Sequence, residues 1–184
     1  VIVNLDCSDE GIVVGCAGVT CLRQELELKR EKASEMLTWA KVKIRGLKGG
    51  HSGLDITKER GNANLILARI LSSLDSEIGI RISSVDGGLQ TNAICREAEA
   101  AIAFSPEKRE KLEEKIQWWG QILAKEFKVS DPGICLLLEE SVPFKEVFAP
   151  EEAQRLLDLL LNIDCGVIAM NVEVPGVPET SGNI

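Results

Sequence analysis

His51 is the only histidine in the chain, and it stands in a glycine-rich run, Gly46-Leu47-Lys48-Gly49-Gly50-His51-Ser52-Gly53. An imidazole on such a loop can donate a hydrogen bond to a substrate oxygen or exchange a proton near neutral pH. Glycines let backbone approach a ligand closely. Local pattern alone favours a plainer reading, a solvent-exposed loop histidine. Two further residues have chemistry of the right kind. Asp6 closes the apolar run Val1-Ile2-Val3-Asn4-Leu5, where a carboxylate at a strand end can ligate a metal, although a turn aspartate is the commoner occupant. Asn92 follows Gly87-Gly88-Leu89-Gln90-Thr91, and its amide can both donate to and accept from a substrate; the plainer alternative is a strand-start asparagine bonded to nearby backbone.

Several chemistries are excluded. The glycine run has neither the P-loop spacing nor that of a dinucleotide fingerprint. One histidine cannot supply a two-metal hydrolytic site, and no Ser/His/Asp or Cys/His constellation can be assembled around it. The six cysteines contain no C-x-x-C pair and sit beside apolar residues, so they read as buried reduced thiols of a cytoplasmic protein.

The elements that must carry these residues follow from periodicity. Short strands are expected over 1–5 and 12–14. Alternation over 20–29 (Leu22, Gln24, Leu26, Leu28) predicts a half-buried strand, with Arg30-Glu31-Lys32 as a turn. Alternation over 37–47 predicts a strand leading into the His51 loop. Ala63, Ile66, Leu67, Ile70, Leu71 and Leu74 recur at helical spacing and predict a helix over 60–75. Strands are expected over 78–85 and 92–104. Ser105-Pro106-Glu107 reads as an N-cap, an N1 proline and a first-turn acid, opening a helix that carries Leu112, Ile116, Trp119, Leu123 and Phe127. Asp131-Pro132-Gly133 reads as a turn before a strand over 134–138. The order strand–helix–strand–strand–helix–strand is that of an α+β, ferredoxin-like domain: a four-stranded antiparallel sheet with both helices on one face. A helix over 150–161 and a strand over 167–174 form an appendage.

Composition agrees with a globular domain. The 184 residues are 45% hydrophobic, enough for a core, and 29 acidic against 21 basic residues give a net charge of −8. That sign repels phosphate backbones and anionic lipid, and with 4% aromatics and no Tyr there is little on which bases could stack. Neither nucleic acid nor membrane is an expected partner. No apolar run reaches the roughly 20 residues of a bilayer span, and the start has no signal-peptide pattern. Both ends read as cut.

Four segments, taken together, resemble one family, the co-catalytic di-zinc peptidases, and within it the aminoacyl-histidine (Xaa-His, carnosinase-like) dipeptidases. They are Asn4-Leu5-Asp6-Cys7-Ser8-Asp9-Glu10-Gly11; the His51 run with Arg60-Gly61-Asn62-Ala63-Asn64; Gly87-Gly88 with Asn92-Ala93-Ile94 and Arg96-Glu97-Ala98; and Val177-Pro178-Glu179-Thr180-Ser181-Gly182-Asn183. They occur in family order over nearly the whole chain. The resemblance implies a catalytic domain with two zinc ions, interrupted by a lid that also dimerises. Residues 19–174 would then be the lid, 1–18 a stub of the catalytic domain and 175–184 the segment returning to it, which would bring Asp6 close to 179–184. Asp6 would ligate one zinc. His51 would stabilise the developing oxyanion, in its own or a partner's site, and Asn92 would contact the dipeptide. The remaining ligands and the general-base Glu would lie outside these 184 residues, so the chain alone is expected to be inactive and to hold no zinc. A non-catalytic dimerisation or small-ligand module, and the lid of a related di-zinc deacylase, are the alternatives. Three departures stand out: Cys7 after Asp6, where Ser-Glu-Glu usually follows directly; Cys95 where Pro is usual; and Thr57 where His is common.

Overall fold

The computed structural model describes residues 18–184; Asp6, Cys7, Cys16 and the strands expected over 1–5 and 12–14 lie outside them. In chain order the elements are β1 (Arg30–Lys32), β2 (Thr38–Arg45), β3 (Gly50–His51), a 3₁₀ turn (Ile56–Lys58), α1 (Ala63–Ile78), β4 (Arg81–Gly87), β5 (Ala93–Ile94), β6 (Ala98–Phe104), a second 3₁₀ turn (Pro106–Lys108), α2 (Arg109–Glu126), β7 (Cys135–Glu140), β8 (Glu146–Phe148), α3 (Pro150–Asn162), β9 (Gly166–Met170) and β10 (Pro178–Gly182).

The main sheet has the order β4-β6-β2-β7, every neighbour antiparallel. Its centre is the β2–β6 pair, in register from Thr38↔Phe104 to Ile44↔Ala98. The period of two sorts the side chains. Ala40, Val42 and Ile44 of β2 and Ala98, Ala100, Ile102 and Phe104 of β6 are buried in one core with Leu67, Leu71 and Leu74 of α1 and Leu112, Ile116 and Leu123 of α2. Both helices therefore cover the same face. α3 contributes Ala153 and Leu157 to that core, and so is a third member of the helical layer where an appendage was expected.

The opposite face is charged. Glu99 of β6 lies across from Lys43 of β2, and its carboxylate meets Lys41 Nζ at 2.6 Å and Arg45 at 2.9 Å. Lys43 reaches Glu139 of β7 at 2.5 Å. One end of this face is closed by the two-stranded ribbon β1–β8, where Trp39, Ala103 and Val147 form a small second core. The ribbon is held to β4 at a bulge: the β4–β6 register slips between Ile82 and Ser84, and Ser83 both donates to Glu146 O (2.7 Å) and accepts from Arg30 (3.0 Å).

Several expectations are corrected. Residues 20–29 form no strand and are exposed apart from Leu28; alternation needs a hydrogen-bonding neighbour, and the sheet offers none there. Arg30–Lys32, expected to turn, is β1, because Glu146–Phe148 pairs with it. The strand expected over 92–104 is two, since β5 pairs with β3 while β6 pairs with β2 and β4. α1 runs three residues further than its apolar spacing suggested, to Ile78, where the Gly79 N–H donates to Asp75 O. Ser105 makes no side-chain cap; the chain turns once as 3₁₀ before α2 begins at Arg109. β10 was not anticipated. Cys95 is buried as expected, but Cys21 and Cys135 are exposed and Cys165 is half-buried.

The Lys41 hydrogen bond, the largest influence, holds the Glu99 carboxyl below its ordinary value, with further help from Lys43 and Arg45 against the opposing effect of burial. A carboxyl whose pKa is lower folded than unfolded stabilises the fold at neutral pH and ceases to do so as pH falls through its folded value. Glu99→Gln is expected to cost about 0.5–1 kcal/mol at pH 7. In urea unfolding followed across pH, the gap to the parent chain should shrink as pH falls below about 4.3; a gap that stays constant to acid pH would refute this account.

Candidate functional site

The site is built where β2 ends. Beyond Arg45 the chain leaves the sheet, makes the short strand β3, and returns as the N-terminus of α1. β3 pairs only with β5, Gly50↔Ile94 and His51↔Ala93. The next step out, the Ser52 N–H donates to Asn92 O at 2.9 Å. His51 in β3 and Asn92, the residue just before β5, 41 positions apart in the sequence, thus lie side by side at one end of this small ribbon, and both are exposed.

The His51 loop satisfies itself. The His51 N–H donates to Asp55 Oδ2 (2.9 Å), and the Asp55 N–H returns to His51 O (2.9 Å). Ile56 is buried and anchors the turn. Asp55 also binds Lys58 Nζ at 2.5 Å and lies 3.5 Å from Arg60. The Lys58 hydrogen bond, then that of the His51 N–H, hold the Asp55 carboxyl below its ordinary value. Arg60 donates in turn to Gly49 O. Only glycine fits at position 50: φ is +134°, and a Cβ would overlap Arg60 and the Asp55 carboxylate.

The imidazole has one orientation in this frame. His51 Nδ1 accepts from the Gly53 N–H (3.0 Å) and the Leu54 N–H (3.2 Å). A nitrogen that accepts cannot also carry the proton, so in the neutral ring the proton is on Nε2. Nε2 has no partner among the described residues. The loop therefore presents a single N–H donor to solvent.

The last motif is drawn to the same place. Asn183 Nδ2 donates to Ala93 O at 3.0 Å, next to His51 in the ribbon. Asn62 caps α1 by accepting from the Asn64 N–H at 3.0 Å and donates to Ile184 O at 3.0 Å. Three of the four sequence motifs converge here; Asp6, in the first, lies outside the described residues. Among the described residues no group of three His, Cys, Asp or Glu side chains could hold a metal ion. The described residues by themselves do not fit a zinc centre.

Two cavities flank the ribbon. One, of about 310 Å³, is lined by Lys48, Gly50, Gln90, Cys95 and Arg96. The other, of 760 Å³, lies between the start of α1 and the β9–β10 hairpin and includes Thr57, Arg60, Asn62, Cys165 and Asn183. His51 and Asn92 line neither, so the exposed ribbon, not a pocket within this chain, is the candidate site. Burial, the largest influence, pushes the Cys95 thiol up, and its Sγ donates to Glu97 O at 3.2 Å; Cys95 packs beneath the site and does not face it. Sequence reading missed Asp55 and the linking roles of Asn62 and Asn183. The reciprocal pattern of a carboxylate four residues after His51 was the available signal for the first.

Residues 38–131 match a family model described as a peptidase dimerisation domain. The chain is 34% identical over its full length to a cytosol non-specific dipeptidase of Escherichia coli (strain K12), of which it spans 38%. In structure it is similar to an aminoacylhistidine dipeptidase from Vibrio alginolyticus, with a TM-score of 0.84 and 34% identity over 86% of this chain and 32% of that one. The chain thus spans 38% and 32% of the lengths of these two relatives.

In nitrogen-resolved NMR, His51 is expected to show a protonated Nε2 and an unprotonated Nδ1 in the neutral ring. The opposite tautomer would contradict the two N–H···Nδ1 contacts.

Proposed function

We infer the function of this chain from the family to which it belongs, the peptidase dimerisation domains, and propose that it is the lid and dimerisation domain of a metal-dependent dipeptidase of the aminoacyl-histidine type. The observation that carries the reading is the exposed His51 Nε2–H, held by a loop that uses every other polar group of the residue. Hydrolysis of a peptide bond places negative charge on the former carbonyl oxygen, and donors fixed in advance stabilise that charge. We assign this role to His51 Nε2–H. The Asn92 amide, in the turn that leads into β5, is assigned to hold the dipeptide. The metal centre is assigned to the rest of the parent protein, with Asp6 as one zinc ligand.

The strand order β4-β6-β2-β7, with α1 and α2 as crossovers on one face, supports reading residues 38–140 as ferredoxin-like. The hydrogen bonds from Asn183 and Asn62 support reading 175–184 as the return to the catalytic domain, with 19–174 as the lid and 1–18 as the outgoing stub. The family description supports a homodimer, and with it a second reading in which this domain only dimerises. No helix among the described residues is long and apolar enough to cross a membrane. A cytoplasmic location is proposed from the kinship with a cytosol dipeptidase.

His51→Ala in the intact dipeptidase should lower kcat on the order of 10²–10³-fold while metal content stays unchanged. Turnover close to that of the parent would leave dimerisation as the function of this domain and discard the catalytic role of His51. Asn92→Ala should act mainly on KM for the dipeptide.

A further inference from the structure

Among the described residues Asp131 is the only buried aspartate, at 0% exposure. It lies in the turn between α2 and β7, and among the described residues no Lys, Arg or His pairs with it. Its two carboxyl oxygens are taken instead by two backbone N–H groups, Lys48 to Oδ1 and Gly61 to Oδ2, each at 2.8 Å. Lys48 is where the chain departs toward His51, and Gly61 is where it comes back to α1. One carboxyl group therefore ties together both ends of the loop that carries His51.

The surroundings make this a fixed point. The Asp131 N–H donates to Phe127 O and the Ile134 N–H donates to Asp131 O, so its own backbone is held at the end of α2. Phe127 packs against Gly61, where a Cβ would come within 3.0 Å of its ring. Gly46, with φ of +79°, lies so close to Gly133 that a Cβ would overlap its carbonyl oxygen. The segment leaving β2 thus meets the α2–β7 turn backbone to backbone, the Phe127 ring packs on the segment returning to α1, and the Asp131 carboxyl lies between them. Asp55 acts inside the loop, on the His51 backbone; Asp131 sets where the whole loop sits on the domain.

We propose that Asp131 is a positioning residue for the reaction: by clamping the Lys48 and Gly61 N–H groups it fixes the position from which His51 meets the substrate. The inference rests on the role assigned to His51 above. Displacement of a catalytic group by about 1 Å can cost on the order of 10² in rate. Asp131→Asn keeps size and one acceptor oxygen but turns an NH₂ group toward one of the two N–H donors, and so opens one side of the clamp.

The test is a double-mutant cycle in the intact, metal-loaded dipeptidase, with alanyl-histidine as substrate. Asp131→Asn should lower kcat by roughly 10–10²-fold, with metal content unchanged and KM moved far less. In the His51→Ala background the same change should alter kcat by less than about 2-fold, because the group being positioned is gone. Equal losses in both backgrounds, or an unchanged kcat for Asp131→Asn alone, would overturn the proposal. Near-normal kcat for His51→Ala would instead remove the catalytic reading. The clamp is then judged by amide exchange and His51 ring NMR, where Asp131→Asn should speed exchange at Lys48 and Gly61 and shift the ring signals; no change in either overturns it. If Asp131→Asn does not fold, exchange in the unaltered protein decides: Lys48 and Gly61 should be protected well above the loop tip at Gly53 and Leu54, and equal rates would overturn the proposal.

Discussion

A chain that leaves a sheet takes its backbone N–H groups with it, and each must find an acceptor. That requirement shapes everything between β2 and α1. Lys48 and Gly61 donate to Asp131, His51 to Asp55, Gly53 and Leu54 to the imidazole, and Ser52 to Asn92 O. Where the acceptor is a side chain, answering the backbone donor also fixes that side chain. The tautomer of His51, the closeness of Asn92 and the seat of the loop are all results of satisfying main-chain hydrogen bonds. The apolar core contributes at one remove: it holds β2, β6, α1 and α2 still, so that the ends of these elements are reliable points of attachment.

The main sheet and its helices were legible because burial there follows period. Val42 and Ile44 alternate with Lys41, Lys43 and Arg45, and Leu67, Leu71 and Leu74 recur at helical spacing, so one-dimensional pattern and three-dimensional contact coincide. Pattern failed where a partner decides. Leu22, Gln24 and Leu26 alternate with no strand beside them, and only Leu28 reaches the core. Arg30-Glu31-Lys32 has no apolar residue at all, yet is a strand, because β8 lies within reach. The break between β5 and β6 follows from a change of partner, which neither strand's composition records.

The site was legible in its members and not in its assembly. His51 and Asn92 could be named from their glycine-rich settings and from the family resemblance. That they share a ribbon depends on the His51↔Ala93 pairing, a long-range fact. Asp131 reads as a turn aspartate before Pro132-Gly133, and nothing in those three residues tells that the carboxyl points inward. Its significance comes from two donors far away in the chain. Cys95 is the converse: it stands in a conspicuous motif, but its burial gives it a packing role beneath the ribbon.

The clamp at Asp131 also sets an order of events. Its two hydrogen bonds close sequence separations of 83 and 70 residues. Closing spans of that length costs chain entropy, which nearby contacts must first offset. Strand β2 and helix α1 are complete in the emerging chain long before residue 131 is made. On a ribosome the glycine-rich loop must therefore wait, its two N–H groups bound to water, until α2 has been synthesised and docked. The part of the domain proposed to meet the substrate is then among the last to acquire its shape, and every newly made copy passes through a stage with a formed framework and an unset histidine.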